Sequence, residues 1–348
     1  MTLARVLQSI GQPLGFLSFP DGSRLLLLPH GARVLGLYAA DDEQNFFWTH
    51  PELAAAKTAR TFFRSEGWHN SGGDRSWIAP EIELFFPELP KLDVYRVPPQ
   101  LDPGRYQAAS PGASAYSCFC TLGASRTGES IRLQIRKGWT AALNPLRRDS
   151  TWNRLKNVQY AGYTQKTTLR LMSHTAPLTV SVGIWNLLQL PPGGDFLVPT
   201  TSRTQPTVYF GTIPRGHLKV QRHSVRYSMK APGIQKIGIR AIAATGRAGY
   251  LCEHDGRWAL VVRNFFVDPS GEYVDVPWEQ DGQLGERGFA VQACNVNSDL
   301  GQFSEMEYHA PAVGGNTGYS YREDASQVWA YRGSRDSLEF IAQHLLGL

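Results

Sequence analysis

Short strand patterns recur along almost the whole of this chain. Arg24–Leu28 and Arg33–Tyr38 are separated by a Pro-His-Gly sequence, which predicts two strands joined by a turn. Between positions 131 and 136 apolar and basic or amide residues alternate, the period of a strand with one buried face. Similar segments lie at Thr167–Leu171, Leu178–Leu188, Lys236–Ala243, Trp258–Val267, Phe289–Cys294 and Phe303–His309. The sequence therefore predicts an all-β sandwich of antiparallel sheets.

Helical periodicity is nearly confined to the C-terminal end. After Ser334, a suitable N-cap, apolar residues fall at helical spacing at Leu338, Ile341, Ala342 and Leu345. The alanine-rich segment Pro51–Arg60 predicts a second, short surface helix. Pro87–Gly112 is rich in proline and glycine and lacks periodicity, so we expect a long excursion over the surface, of the kind that often carries function.

The length does not require two domains. All-β sandwiches often exceed 200 residues as one unit, and glycine and proline make up about 16% of the 348 residues, against roughly 12% on average. We expect one domain spanning residues 1–348, with many turns between short strands.

Several protein classes are disfavoured. Four scattered cysteines do not form a disulfide scaffold, and Cys118 and Cys120 lack zinc-site spacing, so we expect ordinary strand thiols in a reduced cytoplasm. Residues 1–10 lack the pattern of a secretory signal. The longest apolar runs, such as Leu25–Leu28, are far shorter than the roughly 20 residues of a membrane span. We expect a soluble protein without a membrane partner or a cofactor.

The net charge of +5 and the pI near 9.0 weakly favour anionic ligands. The basic residues are dispersed, and Arg147 and Arg148 form only a pair, so nucleic acid is not expected. An acidic or phosphorylated sugar explains the charge equally well.

The densest polar segment surrounds a Ser-Gly-Gly bend at residues 71–73. His69 precedes it, and Asp74, Arg75 and Trp77 follow. Charged donors beside an indole ring suit a sugar, since the donors bind hydroxyls and the ring covers the apolar face of a pyranose. The alternative is a tight turn with a structural Asp74–Arg75 ion pair and a core tryptophan.

A second segment carries charge on a predicted strand. Glu305, Glu307 and His309 fall on one face, while Met306 and Tyr308 fall on the other. Neighbouring carboxylates with an imidazole suit general acid–base catalysis, because burial and a like charge raise a carboxyl pKa. We favour this role because the opposite face has the residues of a core.

Two other interpretations of this charged face stay open. With His69 or Asp74 the same side chains would ligate a metal. Alternatively, they mark a solvent-facing edge strand, where charges are common.

A third segment, Val180–Pro191, is apolar enough for a core strand that ends at a cleft. Trp185 and Asn186 there would stack on a sugar and hydrogen-bond to it. Core packing is the alternative for Trp185.

In this order the segments resemble the galactose-mutarotase-like, or aldose 1-epimerase-like, superfamily. The resemblance is to a bacterial branch with the signature Gly-Gly-Asp-Arg-x-Trp-x-x-Pro-Glu, present here at residues 72–81. Gly31–Val34 and Glu307–Pro311 also look like landmarks of that family. The resemblance implies a β-supersandwich whose open concave face binds a sugar.

Aldose mutarotases use a glutamate base and a histidine acid from an Asn-His-x-Tyr-Phe-Asn-Leu strand. Glu307, or Glu305, resembles the base, and Arg75 resembles the arginine that holds substrate hydroxyls. Matching residues 184–187 to the end of that strand leaves Val182 in place of the histidine. Other candidates for the acid are His69, His174 and His309.

Three functions follow as hypotheses. The first is an aldose 1-epimerase-like isomerase that uses a glutamate base and a histidine acid. The second is a non-catalytic carbohydrate-binding or sensing protein that keeps the cleft and lacks the acid, as Val182 indicates. The third is a polysaccharide lyase-like enzyme, because the basic charge suits uronic acids.

Overall fold

The computed structural model describes residues 2–110, 114–155, 157–172, 178–277, 287–298 and 301–348. The described strands, in chain order, are β1 (Gly15–Ser18), β2 (Arg24–Leu28), β3 (Arg33–Tyr38), β4 (Asp74–Ala79), β5 (Gln107–Ala108), β6 (Ala115–Gly123), β7 (Ser130–Ala141), β8 (Gln159–Leu171), β9 (Ser181–Leu190), β10 (Asp195–Pro199), β11 (Thr207–Phe210), β12 (Leu218–Val220), β13 (Ser224–Ser228), β14 (Gly233–Arg240), β15 (Arg247–His254), β16 (Arg257–Phe265), β17 (Phe289–Ser298), β18 (Gly301–His309), β19 (Val313–Gly314) and β20 (Tyr321–Gly333).

These strands form two antiparallel sheets, which confirms the predicted all-β sandwich. The first sheet has the order β1-β2-β3-β4-β9-β18-β17-β14-β11, with β19 paired to β9. The second has the order β12-β13-β10-β15-β16-β20-β8-β7-β6-β5. The chain passes between the sheets several times, so neighbouring strands come from distant parts of the sequence.

Four α-helices are described: α1 (Thr2–Ser9), α2 (Ala56–Arg64), α3 (Glu81–Leu84) and α4 (Arg335–Leu346). The predicted C-terminal helix is confirmed as α4, and the Ser334 hydroxyl accepts the Ser337 N–H as its cap. The segment predicted as one helix at Pro51–Arg60 is instead a 3-10 turn at Pro51–Ala54 followed by α2, because Ala55 is extended. No described helix is long and apolar enough to cross a membrane.

The alternation of side chains along β18 gives the first sheet two different faces. Met306 and Tyr308 belong to the core between the sheets, where the Tyr308 ring stacks on Phe265 of β16 at 4.4 Å. Glu305 and Glu307 therefore project from the opposite face. We call this the outer face of the first sheet, and it positions the candidate site.

Candidate functional site

A cavity of about 420 Å³ lies over the outer face. Aromatic and aliphatic side chains form most of its wall, and charged side chains form its floor. Its lining residues are Trp68, Asn70, Arg75, Trp77, Glu81, Phe86, Leu92, Tyr95, Trp185, Leu187, Phe210, Ile234, Lys236, Cys294, Val296, Phe303, Glu305 and Glu307. A volume of this size is within the usual range for small-molecule sites.

Glu307 of β18 is at the centre of the floor. Its Oε2 accepts the indole N–H of Trp185 at 2.7 Å and lies 3.1 Å from Nζ of Lys236. Its Oε1 has no hydrogen-bond partner among the described residues. One oxygen of a buried carboxylate is therefore available to a ligand.

The environment of this carboxylate brings its pKa close to neutral pH. Burial raises the pKa of Glu307 to about 7, although the Lys236 ammonium opposes the shift. Burial alone would lower the pKa of Lys236, but Glu307 and Glu81 raise it above its ordinary value. Near pH 7 Lys236 is thus a cation, and Glu307 exchanges between acid and base.

Arg75 of β4 forms the second polar group of the floor. Its Nη2 donates to Glu305 Oε1 at 2.9 Å, and that oxygen also accepts the Gln189 side-chain amide at 3.0 Å. Nε and Nη1 of Arg75 have no described partner. The guanidinium lies 4.2 Å from the ring centroid of Trp77, a cation–π contact. Arg75, a lining residue of the cavity, therefore has two buried donors without a described partner beside an indole ring.

Asp102, in the segment between α3 and β5, holds two of the aromatic walls in place. Its Oδ2 accepts the indole N–H groups of Trp68 at 2.9 Å and Trp77 at 2.8 Å, and it pairs with Arg33. Asp102 is buried. A single charged acceptor thus fixes both indole rings, which line the cavity.

Glu81 and Tyr95 complete the charged floor. Glu81 Oε1 accepts the Tyr95 hydroxyl at 3.0 Å, and Oε2 lies 3.7 Å from Nζ of Lys236. Burial raises the pKa of Glu81. Lys236 therefore lies between two carboxylates.

The sequence reasoning missed Asp102, Lys236, Glu81 and Tyr95 as site residues. Two signals were available for them. Glu81 closes the quoted signature, and Lys236 is the only cation between Gly233 and Ile239 in an otherwise largely apolar strand.

His309 lies on the same side of β18 as Glu307 but outside the cavity lining. Its ring stacks against Trp185 with centroids 5.6 Å apart, and Nε2 is 3.9 Å from Oδ2 of Asp275. Burial lowers the pKa of His309 to about 4, although Asp275 raises it. The imidazole is therefore neutral at pH 7 and is separated from the cavity by an indole.

His69, another histidine proposed as the acid, does not contact Glu307. His69 packs on α2, with its ring centroid 5.2 Å from that of Phe62 and its Nε2 3.0 Å from the Ser65 carbonyl. It is not part of the cavity lining. His174 lies outside the described residues.

Asp74 and Asn186 lie between the sheets, which corrects their expected place in the cleft. Asp74 accepts the Tyr163 hydroxyl at 2.6 Å and Nη1 of Arg263 at 2.8 Å, so its ion pair is with Arg263 and not with Arg75. Asn186 Oδ1 accepts the Ser76 hydroxyl at 2.7 Å. The physical reason is the strand period, since neighbours of the outward-facing Arg75 and Trp185 must face inward.

The predicted alternative of a metal site has one counterpart among the described residues. Ligand atoms of Cys294, Glu305 and Glu307 lie within 4.8 Å of one another. His69 and Asp74 do not contribute to this group. Burial raises the pKa of the Cys294 thiol, and Lys236 already neutralises Glu307, so the group is poorly suited to a further cation.

The chain has one family match and several structural likenesses. The family described as "Family of unknown function (DUF6786)" matches residues 24–348. None of the curated proteins is similar in sequence to this chain.

The structural likenesses are to sugar-related enzymes and their homologues. They include a galactose mutarotase related enzyme from Lactobacillus acidophilus, with 8% identity, a TM-score of 0.44, and coverage of 92% of this chain and 98% of that one. A GalM/aldose epimerase homologue from C. elegans has 11% identity, a TM-score of 0.41, and coverage of 92% and 99%. A putative aldose 1-epimerase from Klebsiella pneumoniae has 11% identity, a TM-score of 0.42, and coverage of 93% and 80%.

Proposed function

We propose that this chain, which belongs to the DUF6786 family, binds a carbohydrate over the outer face and interconverts the anomers of that sugar. The observation that carries the proposal is the buried Glu307 carboxyl, whose pKa near 7 and contact with Lys236 suit proton transfer at neutral pH. It lies on the floor of a cavity with indole walls.

The lining suits a pyranose ring. Trp68, which is only half-buried, offers apolar surface for the C–H face of the sugar, and Arg75 has two donors without described partners for its hydroxyls. This combination of ring faces and a few fixed polar groups is typical of pockets that orient one small ligand.

The proposed reaction needs only proton transfers. The Glu307 carboxylate takes the proton of the anomeric hydroxyl, the bond from the anomeric carbon to the ring oxygen breaks, and the Lys236 ammonium protonates that oxygen. The open aldehyde turns about its bond to the next carbon, and the reverse steps close the ring on the other face. These reverse steps leave Glu307 as a carboxylate and Lys236 as an ammonium, 3.1 Å apart, so both groups are in the starting state for the next cycle.

In this proposal Lys236 takes the role that the sequence assigned to a histidine. His309 is neutral at pH 7 and lies behind Trp185, and Val182 is buried and pairs with Val313. Lys236 instead contacts Glu307 directly on the cavity floor.

Replacing Glu307 with glutamine tests the assignment. We expect Glu307→Gln to slow anomer exchange at least roughly a hundredfold, because it removes the proton acceptor and keeps the shape. The measurement is polarimetry or NMR on a panel of sugars, with calorimetry for binding. Glu253→Gln, an exposed carboxylate on β15, is the matched control. A Glu307→Gln protein that exchanges anomers at the wild-type rate would refute the role.

A second candidate is carbohydrate binding without turnover. It is favoured by Val182, which places a buried apolar side chain where the mutarotase histidine would stand. It predicts saturable binding by wild-type protein with no acceleration of anomer exchange. The same calorimetry and NMR measurements therefore decide between the two candidates.

A further inference from the structure

One end of the cavity is apolar. Phe303 of β18 pairs with Val296 of β17, which pairs with Ile234 of β14, so the three side chains form a row across the outer face. Phe210 lines the same end, and Trp48 packs on Phe303 with ring centroids 4.7 Å apart. We call Phe303, Val296 and Ile234 the apolar row.

The apolar row borders the charged floor directly. Each member lies two residues along its strand from Glu305, Cys294 or Lys236, a step of about 7 Å. None of the four lining residues Phe303, Val296, Ile234 and Phe210 has a charged, hydroxyl or amide side chain, and burial keeps the Cys294 thiol protonated by raising its pKa. A ligand hydroxyl placed against these four side chains would lose its hydrogen bonds to water without finding a partner among them.

The spacing accommodates one sugar ring between the charged floor and the apolar row. Glu307 and Phe303 are four residues apart on β18, so their Cα atoms are about 13 Å apart along the strand. If a ligand accepts or donates a hydrogen bond of about 2.8 Å at Glu307 and makes a van der Waals contact of about 4 Å with Phe303, about 6 Å of that length is left for the ligand itself. That distance holds a single pyranose ring, with its exocyclic carbon against the apolar row.

The charge of the floor also constrains the ligand. Glu81, Glu305 and Glu307 face two cations, Arg75 and Lys236, and both cations already have carboxylate partners. No surplus of positive charge is present among the described lining residues to hold a carboxylate or phosphate group. The overall charge of +5 is thus not concentrated at this cavity.

We propose that the ligand is a neutral 6-deoxyhexose, whose methyl group lies against Phe303, Val296 and Ile234. This inference rests on the proposed function, because the ring must be held at Glu307 and Arg75. The methyl group removes apolar surface from water, whereas the hydroxymethyl of the parent hexose would bury an unpaired hydroxyl.

Calorimetry with matched sugars tests the inference. Each series contains a 6-deoxyhexose, its parent hexose and the corresponding uronate, in the galacto, gluco and manno configurations. We expect the 6-deoxyhexose to bind about tenfold more tightly than the parent in the series that binds, and the uronate to bind most weakly. Equal or tighter binding of the parent hexose or the uronate would overturn the inference and leave the proposed function standing.

Variants of the apolar row provide a second test. Val296→Thr keeps the side-chain shape and adds a hydroxyl, so the preference for the deoxy sugar should fall to about twofold or less. Ile234→Thr should act in the same direction, and Val208→Thr, exposed on β11, is the matched control. Circular dichroism establishes that each variant is folded.

An unchanged preference in both folded variants would overturn the placement of the methyl group. Failure of every sugar in all three series to bind wild-type protein would overturn the proposed function together with this inference.

Discussion

The ammonium nitrogen of Lys236 lies 3.1 Å from Oε2 of Glu307, across the one strand, β17, that separates β14 from β18. Both side chains are buried, with 3% and 1% of their surface exposed. Each group therefore sets the other's protonation: the cation restrains the rise in the pKa of Glu307, and the carboxylates keep the lysine charged.

Removal of this cation should move the titration of Glu307 to higher pH. In Lys236→Met the pKa of Glu307 should rise above its value of about 7 by roughly one to three units, because an opposing positive charge is lost. Since the proposed base is the carboxylate, turnover rises with pH through this pKa, and the midpoint shifts upward. NMR of the labelled Glu307 carboxyl carbon measures the pKa even where turnover is lost.

The matched control for this shift is Lys219→Met, which removes an exposed lysine from β12. It carries the same change in net charge, so a long-range effect would appear in both variants. An unaltered Glu307 titration in Lys236→Met would contradict the coupling.

His309 should make the fold sensitive to acid. Burial lowers the pKa of His309 to about 4, below its usual 6.5, so the unfolded chain binds a proton that the folded chain excludes. The stability that the neutral His309 imidazole allows is fully present above pH 6.5, and it is lost as the pH falls toward 4. When the pH is lowered from 7.5 to 4.5, the unfolding free energy of wild type should fall further than that of His309→Gln. We expect the two decreases to differ by on the order of 3 kcal/mol.

Urea denaturation at the two pH values measures this difference. His217→Gln, a partly buried histidine between β11 and β12, serves as the control. Parallel pH dependence in wild type and His309→Gln would show that protonation of this imidazole does not limit acid stability.

Replacing Asp74 should lower the stability of the fold and leave the affinity for the sugar unchanged. Asp74 and Arg263 are both fully buried between the sheets, so Asp74→Asn leaves a guanidinium without its counter-ion. We expect a loss of about 3–5 kcal/mol in unfolding free energy, and sugar affinity of the folded fraction within about twofold of wild type. Urea denaturation and calorimetry measure the two quantities. If Asp74→Asn lost much of its sugar affinity while keeping wild-type stability, Asp74 would have to be counted among the sugar-binding residues.

The strand period predicted more of this site than the residue types did. Alternation alone placed Glu305 and Glu307 opposite Met306, and the same rule applied to β4 would have placed Asp74 behind Arg75. Residue chemistry was less reliable, because a charged side chain near a glycine bend is equally suited to a core ion pair.

The contacts of Lys236 and Asp102 were beyond prediction from the pattern. Glu307 meets Lys236 only because β18, β17 and β14 are neighbours, an order that local alternation does not encode. Asp102 reaches Trp68 and Trp77 from an aperiodic segment, for which the sequence predicts an excursion but not its path.

The glycine bend before β4 gives a prediction about how Arg75 is positioned. Gly73 has φ of +76°, and a Cβ there would lie 2.3 Å from the carbonyl oxygen of Val34 on β3. Gly73→Ala combines left-handed backbone strain with a backbone clash, so we expect a loss of about 2–5 kcal/mol in unfolding free energy. Urea denaturation measures it.

Gly123→Ala in β6 is the control for the added methyl group. Gly123 has no positive φ, and a Cβ there would have no heavy atom within 4 Å beyond its chain neighbours, so its stability should change by less than about 0.5 kcal/mol. Equal stability of the two variants would mean that β3 moves enough to relieve the clash.

In that case Arg75 would not depend on the bend for its place beside Glu305, and sugar affinity would be unaffected by Gly73→Ala. If the bend does fix β4, the folded fraction of Gly73→Ala should bind sugar more weakly, because Arg75 enters the outer face only two residues later.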